Sequence, residues 1–142
     1  MHKFDTMKKL YFLFIAFILI GLASCQDPAK SRVYMDEGNK LMMTYSKFAE
    51  AEAAFDKAIQ YDKNNYEAFY LRGCAKINEK KYKDAIADFE KAIELKPDYA
   101  DAYFNIGRAY FLLHDEEKAC EYYKLADQYG RPNLEDYLRK CQ

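Results

Sequence analysis

Two hydrophobic textures divide this chain. From Leu10 to Leu22 the residues are apolar without a break, whereas from Ser31 onward apolar and polar positions alternate with the turn of an α-helix. In the second region Ala85, Phe89 and Ala92 fall at i, i+4 and i+7 on one helical face, and Lys83-Asp84 and Glu90-Lys91 fill the opposite one. Pro97 cannot continue a helix interior and stops the helix that precedes it. The same apolar sets return at a fixed interval. Ala51, Ala85 and Ala119 stand 34 residues apart, as do Phe55, Phe89 and Tyr123, and Ala58, Ala92 and Ala126. Gly73 and Gly107 keep that spacing, and Phe48 is followed by Tyr82.

A 34-residue period of paired helices resembles the tetratricopeptide repeat (TPR). The clearest unit, Tyr66 to Tyr99, carries Phe69, Gly73, Tyr82, Ala85, Phe89, Ala92 and Pro97 at the places where that family has aromatic, Gly, aromatic, Ala, aromatic, Ala and Pro. The third unit, from Ala100, supplies Tyr103, Gly107, Tyr110, Ala119, Tyr123 and Ala126, with Glu116 where an aromatic is expected and Pro132 one place late. The first is weakest: Gly38 precedes Gly73 by 35 residues, which puts one extra residue near Tyr45-Ser46, and Tyr34 takes the leading aromatic place. The resemblance implies an all-α solenoid of helical hairpins with repeats at 31–65, 66–99 and 100–133, closed by a capping helix at 134–142. It also implies small residues where paired helices cross and large rings in the space between repeats. A lone repeat cannot bury its apolar face, and about three are needed for stability. Asn133 with Asp136 three residues on resembles a capping box for the last helix, whose apolar face is Leu134, Tyr137, Leu138 and Cys141.

The unbroken apolar run has a different meaning. At 13 residues it is shorter than the roughly 20 that a membrane-spanning helix needs. Lys3, Lys8 and Lys9 precede it and small residues end it, the layout of a secretory signal, with Met1 or Met7 as its start. Leu22-Ala23-Ser24-Cys25 resembles the lipobox of bacterial lipoproteins. That resemblance implies cleavage of residues 1–24, diacylglycerol on Cys25, a short tether over 25–30 and residence in the bacterial cell envelope, lipid-anchored to a membrane facing the periplasm or to the outer membrane. Two or three acyl chains anchor stably where one does not.

Charge narrows the partners. Lost with the signal, Lys3, Lys8, Lys9 and Asp5 leave 19 basic against 22 acidic residues, a mild acidity with no clustered positive face for nucleic acid. The two His are His2, in the signal, and His114, in a turn beside Asp115, too few for a zinc site. No nucleophile–base order or Gly-rich phosphate loop appears, so neither catalysis nor a cofactor is expected. Three Cys remain beyond Cys25. In the TPR register Cys120 leans toward the terminal helix, where Cys141 takes the place of Gly107, so the two either bridge or pack as small apolar thiols. Cys74 reads as a packing or groove thiol.

The TPR resemblance further implies a concave groove lined by the first helix of each repeat. Its places fall on Met35, Asn39 and Met42 in the first repeat, Tyr70 and Ile77 in the second, and Phe104, Asn105, Arg108 and Phe111 in the third. The carboxylate clamp of chaperone-binding TPRs is echoed by Asn39, Asn105 and Arg108 and contradicted by Met35, Leu71 and Asp101. The expectation is a membrane-anchored, non-catalytic protein-interaction adaptor whose groove takes an apolar protein or peptide ligand. A self-associating structural lipoprotein and an accessory subunit of an envelope enzyme are the alternatives.

Overall fold

Residues 26–141 are described by the structure, a computed structural model; the signal, the lipobox and Cys25 lie outside them. The elements are α1 (Pro28–Tyr45), α2 (Phe48–Tyr61), α3 (Tyr66–Asn78), α4 (Tyr82–Leu95), α5 (Ala100–Leu112), α6 (Glu116–Gln128) and a short α7 (Glu135–Arg139). The described residues are all-helical, as the 34-residue period predicts. No helix among them is long and apolar enough to cross a membrane.

Each hairpin is locked at its crossing by one glycine and one ring. A Cβ added at Gly38 would stand 2.6 Å from Phe55, one at Gly73 2.6 Å from Phe89, and one at Gly107 2.7 Å from Tyr123. Phe55 and Phe89 are fully buried, and Tyr123 nearly so. The rings therefore fill the crossing inside each repeat, not chiefly the space between repeats as the pattern suggests. The aromatic face stays flat against the bare glycine backbone, and alanines at 51, 58, 85, 92 and 126 let the neighbouring helices close in.

Within each hairpin the turn reverses through one residue in the left-handed region: Ser46 (φ 51°), Lys80 (φ 62°) and His114 (φ 62°), which stand 34 apart. The residue inserted in the first repeat thus lies before Ser46, in the end of α1. There the Lys47 amide donates back to the Leu41 carbonyl, one residue farther than Lys81 to Lys76 or Asp115 to Tyr110. A wider final turn absorbs the insertion.

Two local expectations are corrected. The tether is folded from Asp27 on: the Asp27 side chain caps α1 by accepting from the Lys30 amide, and its own amide donates to the Tyr61 carbonyl at 2.8 Å. The Pro at the start of α1 helps here, because its fixed φ suits the first helical turn. Asn133 caps nothing. It stands at φ 61°, Leu134 takes the N-cap place without a side-chain bond, and α7 has only 5 residues.

One buried polar cluster was not foreseen. Asp88, on α4, is buried and receives two bonds from Arg72, Nε at 2.9 Å and Nη2 at 2.5 Å, and one from Lys76 at 2.8 Å. Arg72 also reaches Asp56 on α2, tying the first repeat to the second. Asp88 falls at i+3 from Ala85 on the apolar face of α4, where its counterpart 34 residues earlier is the buried Ala54.

Candidate functional site

The inner face of the array follows from which helices meet. Among the described residues α1 touches α3 and α3 touches α5, whereas α2, α4 and α6 do not touch one another. The odd-numbered helices therefore lie on the tighter, concave side, where the period places the groove.

At the middle of that face stands a linked polar set. Asn105 donates through Nδ2 to the Tyr70 hydroxyl at 2.9 Å and to the Asp101 carbonyl at 3.0 Å, and accepts at Oδ1 from Arg108 Nη1 at 2.9 Å. Asn105 is buried, so these bonds satisfy it and fix its orientation, and through it they hold Tyr70 and Arg108. Tyr70 also packs against Tyr99 at 4.9 Å between centroids and against Phe89 at 5.7 Å. Burial pushes the Tyr70 phenol well above its ordinary value. The adjacent Cys74 thiol is driven up to about 11, chiefly by burial, so it is a poor nucleophile at neutral pH.

At the N-terminal end Asn39 lines a cleft with Arg32, Asp36, Asp62, Asn65 and Glu67. Asn65 caps α3 and donates to the Ser31 hydroxyl at 3.2 Å, which ties α3 to α1. Met42 and Ile77 are half-buried against the cores of their repeats.

Two expected groove residues belong to the core. Met35 is 6% exposed and gives the N-terminal cleft only its floor. Phe104 is 7% exposed, covered edge-on by Tyr137 at 5.0 Å and by the Arg131 guanidinium 3.7 Å above its ring. Arg131 was invisible to the repeat pattern, because it follows α6 at a turn outside the helical positions. It pairs with Asp101 and closes the groove over Phe104. Phe111 is 48% exposed and belongs instead to a cavity at the C-terminal end. That end carries a Cys120–Cys141 disulfide, with Cα atoms 5.5 Å apart, which fastens the end of α7 to α6; Cys74 is free.

Residues 75–113 match a family model described as TPR repeat, and residues 100–129 match one described as Tetratricopeptide repeat. The Hsp70-Hsp90 organizing protein of Triticum aestivum is 37% identical over 78 residues, 55% of this chain and 13% of that protein. The STIP1 homolog of Dictyostelium discoideum is 32% identical over 120 residues, 82% of this chain and 21% of that protein. The chain thus spans about a fifth or less of the length of these curated relatives. Among solved structures, the first TPR of Spaghetti (RPAP3) bound to HSP90 peptide SRMEEVD superimposes with TM-score 0.77 at 30% identity, covering 82% of this chain and 93% of that one. MamA superimposes with TM-score 0.67 at 28% identity, covering 73% and 60%. Helix pairing, glycine–ring crossings and these likenesses all lead to one assignment: the chain belongs to the tetratricopeptide repeat family.

Proposed function

We propose that this protein is a non-catalytic adaptor that binds a peptide segment of a partner protein on its concave face, held at a membrane of the bacterial envelope by lipid on Cys25. The observation that carries the binding half is the Tyr70–Asn105–Arg108 set. A buried amide holds a phenol and a guanidinium on the inner face before any ligand arrives, so little ordering is left for binding to impose. A solved TPR similar to this chain is described as bound to the HSP90 peptide SRMEEVD. Here Met35, Leu71 and Asp101 stand where the chaperone clamp has basic or amide groups, so an acidic C-terminus is disfavoured. Half-buried Met42, Cys74 and Ile77 suit apolar side chains of an extended or helical segment.

The anchor half rests on the lipobox residues. With Asp27 tied to Tyr61, Gln26 alone separates Cys25 from the folded repeats, which would hold the module against the bilayer surface. A photoreactive group at Tyr70 or Arg108 in intact cells tests the groove: capture of one discrete partner at both sites is expected, and no capture at either would remove it. Intact mass tests the anchor. A mature chain beginning at Cys25 with acyl mass is expected, and a retained 1–24 segment would overturn the claim.

A further inference from the structure

We infer that one edge of the array, from Asp27 to Tyr129, is a contact surface for a lipid bilayer, with its tyrosines at the level of the headgroups. This edge faces a membrane only if Cys25 is acylated as proposed above. Odd-numbered helices begin and even-numbered helices end here. Bonds and rings link the edge along its whole length. The Asp27 amide donates to the Tyr61 carbonyl at 2.8 Å, and Asn65 donates to the Ser31 hydroxyl at 3.2 Å. The Lys96 ammonium lies over the rings of Tyr66 and Tyr99, 4.8 and 5.2 Å from their centres. The Tyr103 hydroxyl donates to the Pro97 carbonyl at 3.0 Å, and its ring stacks on Tyr129 at 4.8 Å. The three repeats thus present one stiff rim, with Tyr129 exposed at its far end.

Tether length and side-chain chemistry select this rim. From Cys25 to Asp27 the chain spans at most about 7 Å. The first turn of α1, and the turn at 62–65 bonded to it, then lie at the bilayer surface. The opposite edge also exposes apolar side chains, Met43, Tyr45 and Leu112. An α1 of 18 residues holds that edge about 27 Å from the anchored one. Tyrosine, with an apolar ring and a hydroxyl tip, settles at membrane interfaces, and the rim carries it in every repeat. Charge does not drive the contact, because Lys63 is matched by Asp62 and Lys96 by Asp98, so zwitterionic headgroups suffice. Seated this way, α3 and α5 stand up from the bilayer, with Tyr70 and Arg108 about 6 and 12 Å above the rim. A segment bound in the groove then runs along the membrane, close to its surface.

The chain has no Trp, so a single introduced one reports depth. Lys63→Trp, Asp98→Trp and Tyr129→Trp place it along the rim, and Lys47→Trp and Lys83→Trp place it on the opposite edge; all five positions are exposed. Each mature variant is coupled through Cys25 to a synthetic diacyl maleimide and seated on phosphatidylcholine vesicles brominated near the headgroup. Emission should be quenched several-fold more at 63, 98 and 129 than at 47 and 83. Equal quenching at both edges, no quenching, or quenching at 63 alone would overturn the proposal. The synthetic anchor decides the rim even where the cell does not acylate Cys25, a separate failure that intact mass reports.

Discussion

Gly73 lies face to face with the ring of Phe89, so close that a single methyl on the glycine would stand 2.6 Å from Cε1. The contact recurs at Gly38–Phe55 and Gly107–Tyr123 and sets the spacing of the paired helices in all three repeats. Phe89 is fully buried and cannot swing away. Gly73→Ala should therefore cost about 1–3 kcal/mol from overpacking, despite the better helix propensity of alanine. Urea unfolding of the variant checks this, and Phe89→Leu in the same chain should restore part of the loss.

The turn residues carry the opposite prediction. Lys80 and His114 hold left-handed backbone that glycine adopts without a Cβ clash. Lys80→Gly should stabilise by about 0.5 kcal/mol, the relief of strain less the extra freedom of glycine in the unfolded chain. Thermal melts of the two single glycine variants read it; loss of stability in both would show that the turn is unstrained.

Arg72 and Asp88 form a buried pair that breaks badly from one side. Arg72→Met removes two bonds to Asp88, leaving Lys76 as its partner, and should cost about 2–3 kcal/mol. Arg72→Met with Asp88→Leu should recover only part of that, because the largely buried Lys76 then loses its carboxylate partner. A double-mutant cycle measures the coupling directly.

Alkali should unfold the protein before it ionises all the tyrosines. Burial raises the Tyr70 and Tyr99 phenols far above the ordinary value of 10.0, and holds Tyr103 and Tyr123 at about 12. Each such group stays protonated in the fold while the unfolded chain ionises near 10.0, so its stabilising contribution is complete below that pH and is lost as pH rises above it. Absorbance at 295 nm should show part of the tyrosine titration arriving together with loss of helical circular dichroism. Complete ionisation with the helix signal intact would refute the burial.

The disulfide closes a 21-residue separation and holds a helix too short to stand alone. Cys120→Ala with Cys141→Ala should lower stability by up to about 3 kcal/mol, as a loop of this size implies, with amide exchange rising first in Tyr137 and Leu138. Thiol counting on oxidised protein should find Cys74 as the one free thiol of residues 26–141. Two more would mean that the bridge is absent.

Much of the fold was legible because it is local and repeated. The 34-residue return of Ala85, Phe89 and Gly73 marks helix pairs, since the spacing of a helical face and of a hairpin depends only on neighbours along the chain. The groove was legible less evenly. Tyr70, Asn105 and Arg108 meet as the register requires, but Met35 and Phe104 hold groove places in the pattern and core places in the molecule. Whether a side chain at such a place is open depends on what crosses above it. For Phe104 that is Arg131 and Tyr137, both from beyond the third hairpin.

The sequence by itself determined the helices, their pairing and the single inserted residue, because each is a short-range relation along the chain. Only the tertiary structure decided the charged cluster around Asp88, the lid of Arg131 over Phe104 and the cavity beside Cys120. Those join residues from different helices or from beyond a helix end, and burial there is a property of the packed array, which no single turn of helix records.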